Sequence, residues 1–421
     1  MALKEDIEKL DKMQQKEKIV EMPINDFKLN EQGVIKANSI VNAELILQRD
    51  PILAHKIAFN EFTYEIELLD DISDLMLEKG TIDDDYPPAI LGYIESKYGV
   101  LFNEKILRSA LVNIARRNVF NPVLDYFEKC VKKWDGNIRT DDFLPDFLGV
   151  EKSAVTALQT RLFFVGAVAK AYKPEAKFDY VLDLVGGQGA GKTTLLKKIS
   201  NGWYTDQFTD FKDKDNYANM LRALIVNDDE MTATSNSSFE ILKKFISSET
   251  LEYRKPYGRS TVRRARNFVM ARTTNEVTYL KDKTGERRFL PNLVNKDLQK
   301  KSPVSDLTQD YIDQFWGECT VLYNDGFSFL LKPEEEELLN KHREDFMYID
   351  AEEEAIDECL QSWNSDFITS NDIAIHIGED SLVHNRKLAK KIKYVMDNHH
   401  QWKAGTKRFG KTMQRGYRRL Q

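Results

Sequence analysis

The 421-residue sequence predicts an α/β fold, with a helical domain before the core and a basic winged-helix-like domain after it. Three observations predict this. Short apolar runs alternate with helical stretches through the middle of the chain, a glycine-rich loop follows the first of those runs, and positive charge gathers at residues 385–421. With 42% hydrophobic and 31% charged residues the chain is globular rather than disordered or fibrous.

The first segment, residues 1–150, carries a net charge of −9 and reads as mainly helical. Apolar residues recur at helical spacing in Ile40 to Leu53 and Leu107 to Ile114, around a turn-like stretch from Asp83 to Pro88. This segment offers no chemistry and is assigned to oligomerisation or partner contact. No apolar run approaches the roughly 18 to 20 residues that a membrane span needs, and Met1 to Lys18 is densely charged where a signal peptide needs an apolar stretch. A cytosolic protein without a membrane partner is expected. Cys130, Cys319 and Cys359 lie far apart and read as reduced core residues rather than disulfides or a zinc site.

The second segment, residues 151–331, is expected to be the α/β domain. Tyr180 to Val185, Leu224 to Val226 and Asn267 to Thr273 are its strand-like runs. After the first comes Gly186-Gly187-Gln188-Gly189-Ala190-Gly191-Lys192-Thr193, which fits Gly-x4-Gly-Lys-Ser/Thr and leads into a helical stretch from Thr194 to Ile199. Glycines let backbone N–H groups turn toward phosphate oxygens, and the helix N-terminus beneath adds partial positive charge. Lys192 is expected to reach the β- and γ-phosphates of ATP, and Thr193 to give its hydroxyl to magnesium. The second run ends in Asp228-Asp229-Glu230. Asp229 is assigned to the metal and Glu230 to the attacking water, with Asp228 competing because Asn227 and Asp228 break the apolar run that would fix the register. The third run ends at Asn275, where a polar side chain can hydrogen-bond the water or γ-phosphate. Arg287 and Arg288 follow, able to stabilise transition-state charge in cis or from a neighbouring subunit.

Between the second and third runs, Arg254, Lys255, Arg259, Arg263, Arg264 and Arg266 surround Pro256-Tyr257-Gly258, a turn signal. So many cations in one place call for an anion, and phosphodiesters supply it with counterion release. Lys255, Arg259, Arg263 and Arg264 are therefore candidate contacts to single-stranded DNA. The third segment, residues 332–421, holds three helical stretches and then alternating basic and aromatic residues. Residues 385–421 contain twelve basic residues against Asp397 alone, and Lys390 and Lys391 on the third helix are candidate contacts to double-stranded DNA.

The loop, Asp229-Glu230, Asn275 and Gly285 to Phe289 stand in an order and spacing that resemble the ATPase domain of the virulence-associated protein E family, phage and pathogenicity-island proteins related to superfamily 3 helicases of the AAA+ class. Tyr253 to Arg259, Asn121 to Phe127 and Trp134-Asp135-Gly136 extend the resemblance over roughly residues 50–295. The resemblance implies an AAA+-like core and an ATP-driven motor on single-stranded DNA, usually a homo-oligomeric ring, that replicates a mobile element in a bacterial host. Thr194 joins residues 186–193 as a candidate nucleotide contact; the resemblance implies that Lys192 and Thr193 hold phosphate and magnesium, that Asn275 senses the γ-phosphate, and that Arg287 or Arg288 is the arginine finger. Arg272 departs from the family, which usually carries a small residue before that Asn. Many relatives carry an N-terminal primase, for which residues 1–150 look too short and too helical. Two other readings remain beside the motor. An ATP-switched DNA-binding protein would assemble without unwinding, and a kinase would need none of the basic clusters. Thr274-Asn275-Glu276 lacks the Asn-Lys-x-Asp element of a GTPase.

Overall fold

The computed structural model describes residues 22–254, 261–280, 286–348, 351–379, 382, 385–399, 401–410 and 412–420. Contacts divide the chain into two compact units, one running to Asn275 and including Arg287–Leu338, the other comprising residues around 276–280 with those from Leu339 onward.

The N-terminal part contains α1 (Ile40–Arg49), β1 (Ile57–Asn60), β2 (Glu65–Leu68), β3 (Gly80–Thr81), α2 (Tyr86–Tyr98), α3 (Glu104–Arg117) and β4 (Val119–Phe120). The helices fall where apolar spacing predicts them, and Ser39 and Asn103 cap α1 and α3 by accepting from backbone N–H groups. The expectation of a helical domain is corrected here, because β3-β2-β1-β4 form a four-stranded sheet. These strands of two to four residues are too short to display a period of two, and their stability comes from the apolar side chains that α1, α2 and α3 lay against them. Ile46, Ile57, Leu68, Ile90, Ile94 and Leu107 form that core.

The middle of the chain continues with α4 (Pro122–Lys133), α5 (Phe143–Leu148), α6 (Ala154–Tyr172), β5 (Val181–Val185), α7 (Lys192–Ile199), β6 (Tyr204–Thr205), α8 (Asn216–Met220), β7 (Ile225–Asp228), α9 (Thr232–Ser235), α10 (Phe239–Ile246), β8 (Thr250–Arg254), β9 (Thr261–Ala265), β10 (Val269–Thr274), β11 (Phe289–Leu293) and α11 (Gln309–Asn324). Five strands make a fully parallel sheet in the order β11-β5-β10-β7-β6. All of β5 and β10 is buried, as strands covered on both faces require. The connection from β5 leads to one side of the sheet and β11 returns on the other, so the order reverses beside β5, where parallel sheets open a crevice at the carboxyl edge. Strands β8 and β9 pair as a separate antiparallel hairpin, with Arg254 opposite Thr261.

The last part holds α12 (Pro333–Glu344), α13 (Ala351–Ser362), β12 (Phe367–Ile368), α14 (Ser370–His376), α15 (Arg386–Asn398), β13 (Trp402–Phe409) and β14 (Thr412–Arg419). The three strands run β12-β14-β13, all antiparallel. Ile356, Leu360, Ile373, Leu388, Ile392, Met396, Trp402 and Tyr417 form one core beneath them. No helix among the described residues is long and apolar enough to cross a membrane. All three cysteines are buried and free.

Candidate functional site

Strand parity decides which acidic residue meets the glycine loop. Register pairs Arg272 of β10 with Asp183 of β5 on one side and with Asp228 of β7 on the other, so these three side chains share one face of the sheet. Arg272 donates from Nε to Asp183 Oδ1 at 2.8 Å and from a terminal nitrogen to Asp183 Oδ2 at 2.6 Å, and its guanidinium lies 4.0 Å from the Phe289 ring centroid. Arg272 thus fits within the strand, because its charge is taken up inside the sheet by a two-pronged carboxylate pair. Asp228, on the same face, accepts from the backbone N–H of Ala233 and Thr234 and from the Thr234 hydroxyl at 2.6–2.9 Å, which ties down α9. Burial pushes its carboxyl up from the ordinary range, and those hydrogen bonds with Arg272 pull against that shift.

The next residue faces the other way. Asp229 Oδ1 accepts from Thr193 Oγ1 at 2.8 Å, from Thr273 Oγ1 at 2.8 Å and from Asn227 Nδ2 at 3.1 Å. Thr273 also accepts from the Glu230 backbone N–H at 2.9 Å, so one hydroxyl fixes both acidic residues. Glu230 and Met231 adopt left-handed φ values of 54° and 49° between the end of β7 and α9. Non-glycine residues held there are uncommon, and the clamp of Asp228 on one side and Thr273 on the other maintains the elbow. Glu230 is exposed at its tip.

The loop from Gly186 to Gly191 joins β5 to α7. Gly186 has φ of 145°, and a Cβ there would meet the Val294 carbonyl oxygen at 2.5 Å; Gly191 has φ of 80°, and a Cβ would meet Pro303 Cγ at 2.9 Å. Both positions need glycine for conformation and for close approach. Lys192 begins α7 and donates to the carbonyls of Gly186 and Gly187 and, at 3.1 Å, to Asn275 Oδ1. Burial pushes its ammonium pKa down, while Asp229 and Glu230 push it up. A cavity of about 320 Å³ is lined by residues 188–194, Asp229, Glu230, residues 273–275 and Val304.

The structure therefore brings together the loop, Lys192, Thr193, Thr194, Asp229, Glu230 and Asn275. It does not bring Arg287 and Arg288 there. Phe289 pairs with Val181 and Leu293 with Val185, so both arginines precede β11 at the amino edge, at least about 13 Å of strand from the loop at ~3.3 Å per residue. Arg288 is half-buried, 3.2 Å from Ser247 Oγ and 3.6 Å from Asp179, whereas Arg287 is exposed. Action on the loop of the same chain is excluded by that placement.

The described residues of the basic cluster are also dispersed. Lys255 and Arg259 lie outside the described residues. Arg263 is exposed on β9 and donates to Thr250 Oγ1 at 3.0 Å, while Arg264, on the opposite face, lies 4.5 Å from the Tyr64 ring centroid. Arg266 is buried and donates to the carbonyls of Phe245 and Ile246 at the end of α10, and to that of Phe178; burial pushes its pKa down to about 10. On α15, Leu388, Ile392 and Met396 face the core, Arg386, Lys387, Lys390 and Lys393 are exposed, and Lys391 pairs with Glu352 at 2.9 Å.

Sequence reasoning missed Thr273, Asp228 as an organiser, and the segment from Val294 to Val304. Thr273 was findable, since it stands two residues before Asn275 and so shares its strand face. The segment gives no sequence signal. It crosses the loop with Gln299 Nε2 donating to the Ala190 carbonyl at 2.7 Å and is fastened by Lys301 to Asp146 at 2.8 Å.

Fold and site define a mixed α/β protein whose polar site lies at the carboxyl edge of a parallel sheet. The chain belongs to the virulence-associated protein E-like domain family, whose model matches residues 127–348. Among solved structures it is similar to three apo structures of the NrS-1 C-terminal region, at 12%, 12% and 13% identity and TM-scores of 0.48, 0.44 and 0.44, covering 86–87% of this chain and 96% of those chains. No curated protein matches the chain.

Proposed function

We propose that this protein is an ATP hydrolase with an AAA+-like phosphate-binding core that acts as a helicase or translocase on single-stranded DNA in replication of a phage or mobile element. The observation that carries the reading is the Thr193–Asp229 hydrogen bond, made beside Lys192 and Asn275 at the carboxyl edge of the sheet. The donor set fits magnesium, because a hydroxyl and a carboxylate are hard oxygen ligands, and Gly186 and Gly191 leave no room for side chains in the loop. Magnesium held by Thr193 and Asp229 would neutralise charge on the phosphates. Lys192 binds the β- and γ-phosphates, with backbone N–H groups of residues 187–193 around them. Asn275 orients the terminal phosphate, and Glu230, exposed on its rigid elbow, aligns a water and takes its proton. Arg287 or Arg288 serves the site of an adjacent copy in a homo-oligomeric ring such as a hexamer, and the exposure of Arg287 favours it.

The exposed cations of α15 above an apolar core, followed by the β13–β14 hairpin, support a winged-helix-like contact with double-stranded DNA. ATP turnover with and without single-stranded DNA, and strand displacement on a forked duplex, test the reading against Lys192→Ala. DNA-stimulated turnover with displacement is expected. ATP-dependent DNA binding without displacement would favour the ATP-switched binder, and absence of turnover would overturn the hydrolase.

A further inference from the structure

Beside the hairpin base lies a second cavity of about 350 Å³, lined in part by Phe59, Tyr64, Glu65, Ile66, Arg116 and Arg264. Its composition is selective. Phe59, Tyr64 and Ile66 provide an apolar and aromatic wall, and the Arg264 guanidinium lies 4.5 Å from the Tyr64 ring centroid. Arg264 Nε is buried without a hydrogen-bond partner, an unusual state for a guanidinium N–H. Tyr64 holds a left-handed backbone with φ of 59°, a conformation that non-glycine residues rarely keep unless something over-determines it. Glu65 is the one carboxylate among the residues lining this cavity, and it is already engaged by Arg222 and by Thr81 Oγ1. No described carboxylate lies within ion-pair distance of Arg116 or Arg264, so the cavity has cationic capacity left over.

We propose that this cavity binds one nucleotide unit, a nucleobase with its phosphate. The base stacks against the Tyr64 and Phe59 wall and the phosphate meets Arg116 and Arg264. Flat π-faces beside planar guanidinium groups suit a base better than an acidic side chain, which would use the cations and leave the aromatic wall empty. The unit comes from a single strand or from a free mononucleotide, and the first source rests on the polynucleotide part of the proposed function. In that case strand passes along the base of the hairpin.

Fluorescence anisotropy of a labelled dT20 oligonucleotide, run with the full-length protein across a salt series, tests this. The double variant Arg116→Ala/Arg264→Ala is expected to bind at least about 10-fold more weakly, with the salt slope reduced by about one to two phosphate contacts. Arg264→Lys, which keeps charge but not the planar face, is expected to fall between. Oligonucleotides carrying 5-iodouracil should photo-crosslink to wild-type peptides containing Phe59 or Tyr64, a readout independent of how the variants fold. Titration with dTMP forms the second arm: dTMP binding lost in the double variant, without dT20 binding, assigns the cavity to a free nucleotide and removes the strand from the reading. Equal dT20 binding by wild type and double variant, with crosslinks elsewhere, overturns the inference while leaving the DNA-acting enzyme intact. Binding of neither probe, or of poly-glutamate in their place, overturns it as well.

Discussion

Thr193 Oγ1 donates a 2.8 Å hydrogen bond to Asp229 Oδ1 and thereby joins the start of α7 to the end of β7. Thirty-six positions apart in sequence, these two oxygens converge at one point on the carboxyl edge of the sheet. The proposed chemistry depends on that convergence. Lys192→Ala and Asp229→Asn are expected to lower ATP turnover at least about 100-fold, whereas Glu230→Gln should retain nucleotide binding and lose turnover by a similar factor. Phosphate release and fluorescent-nucleotide binding, measured side by side, separate the two behaviours.

The Asp183–Arg272 pair is wholly inside the protein, with side chains 0% and 2% exposed. Removing one partner leaves a buried charge, so Asp183→Asn is expected to cost about 3–5 kcal/mol in urea unfolding. Asp183→Leu combined with Arg272→Met should recover most of that loss. A double variant as unstable as the single would show that the pair does not act as a unit.

On the proposed function, the placement of Arg287 and Arg288 at the amino edge requires that the arginine reach the loop from a second copy. Arg287→Ala is expected to reduce turnover by about 10³-fold or more. Mixing it with Lys192→Ala, itself inactive, should restore activity, because each Lys192→Ala copy still offers its arginine to an intact loop. A mixture as inactive as its components would refute action in trans.

Burial pushes the Lys170 ammonium down to about 7, and the positive charge of Arg266 adds to that shift. In the unfolded chain the same group titrates at about 10.4. Between these values the unfolded state holds the extra proton, so stability rises as pH climbs from about 7 toward 10 and is lowest below the folded value. Thermal unfolding of wild type against Lys170→Met checks the sign: the slope should flatten in the variant.

Local signals were enough for much of the architecture. The helices α1, α3, α7 and α15, and the strands β5, β7 and β10, lie where apolar spacing and caps indicate, because each has several residues of consistent period. The N-terminal sheet escaped notice because two-residue strands such as β3 and β4 have no period to read. The glycine loop is legible for a different reason: positive φ and close backbone approach at Gly186 and Gly191 oblige the sequence to spell out where side chains are forbidden. By itself, then, the sequence determined the loop, the candidate acids and the family likeness.

Tertiary structure decided everything that depends on which face or edge a side chain occupies. Parity along β7 and β10 sends Asp228 into a buried row with Arg272 and Asp183, and Asp229 to Thr193. Parallel pairing of β11 with β5 carries Arg287 and Arg288 to the far edge. Of the six clustered cations, three likewise take separate roles: a buried helix cap at Arg266, a cavity wall at Arg264 and an exposed strand residue at Arg263. Charge counts and spacing are properties of a line, whereas these outcomes follow from register between distant strands, which only the folded chain sets.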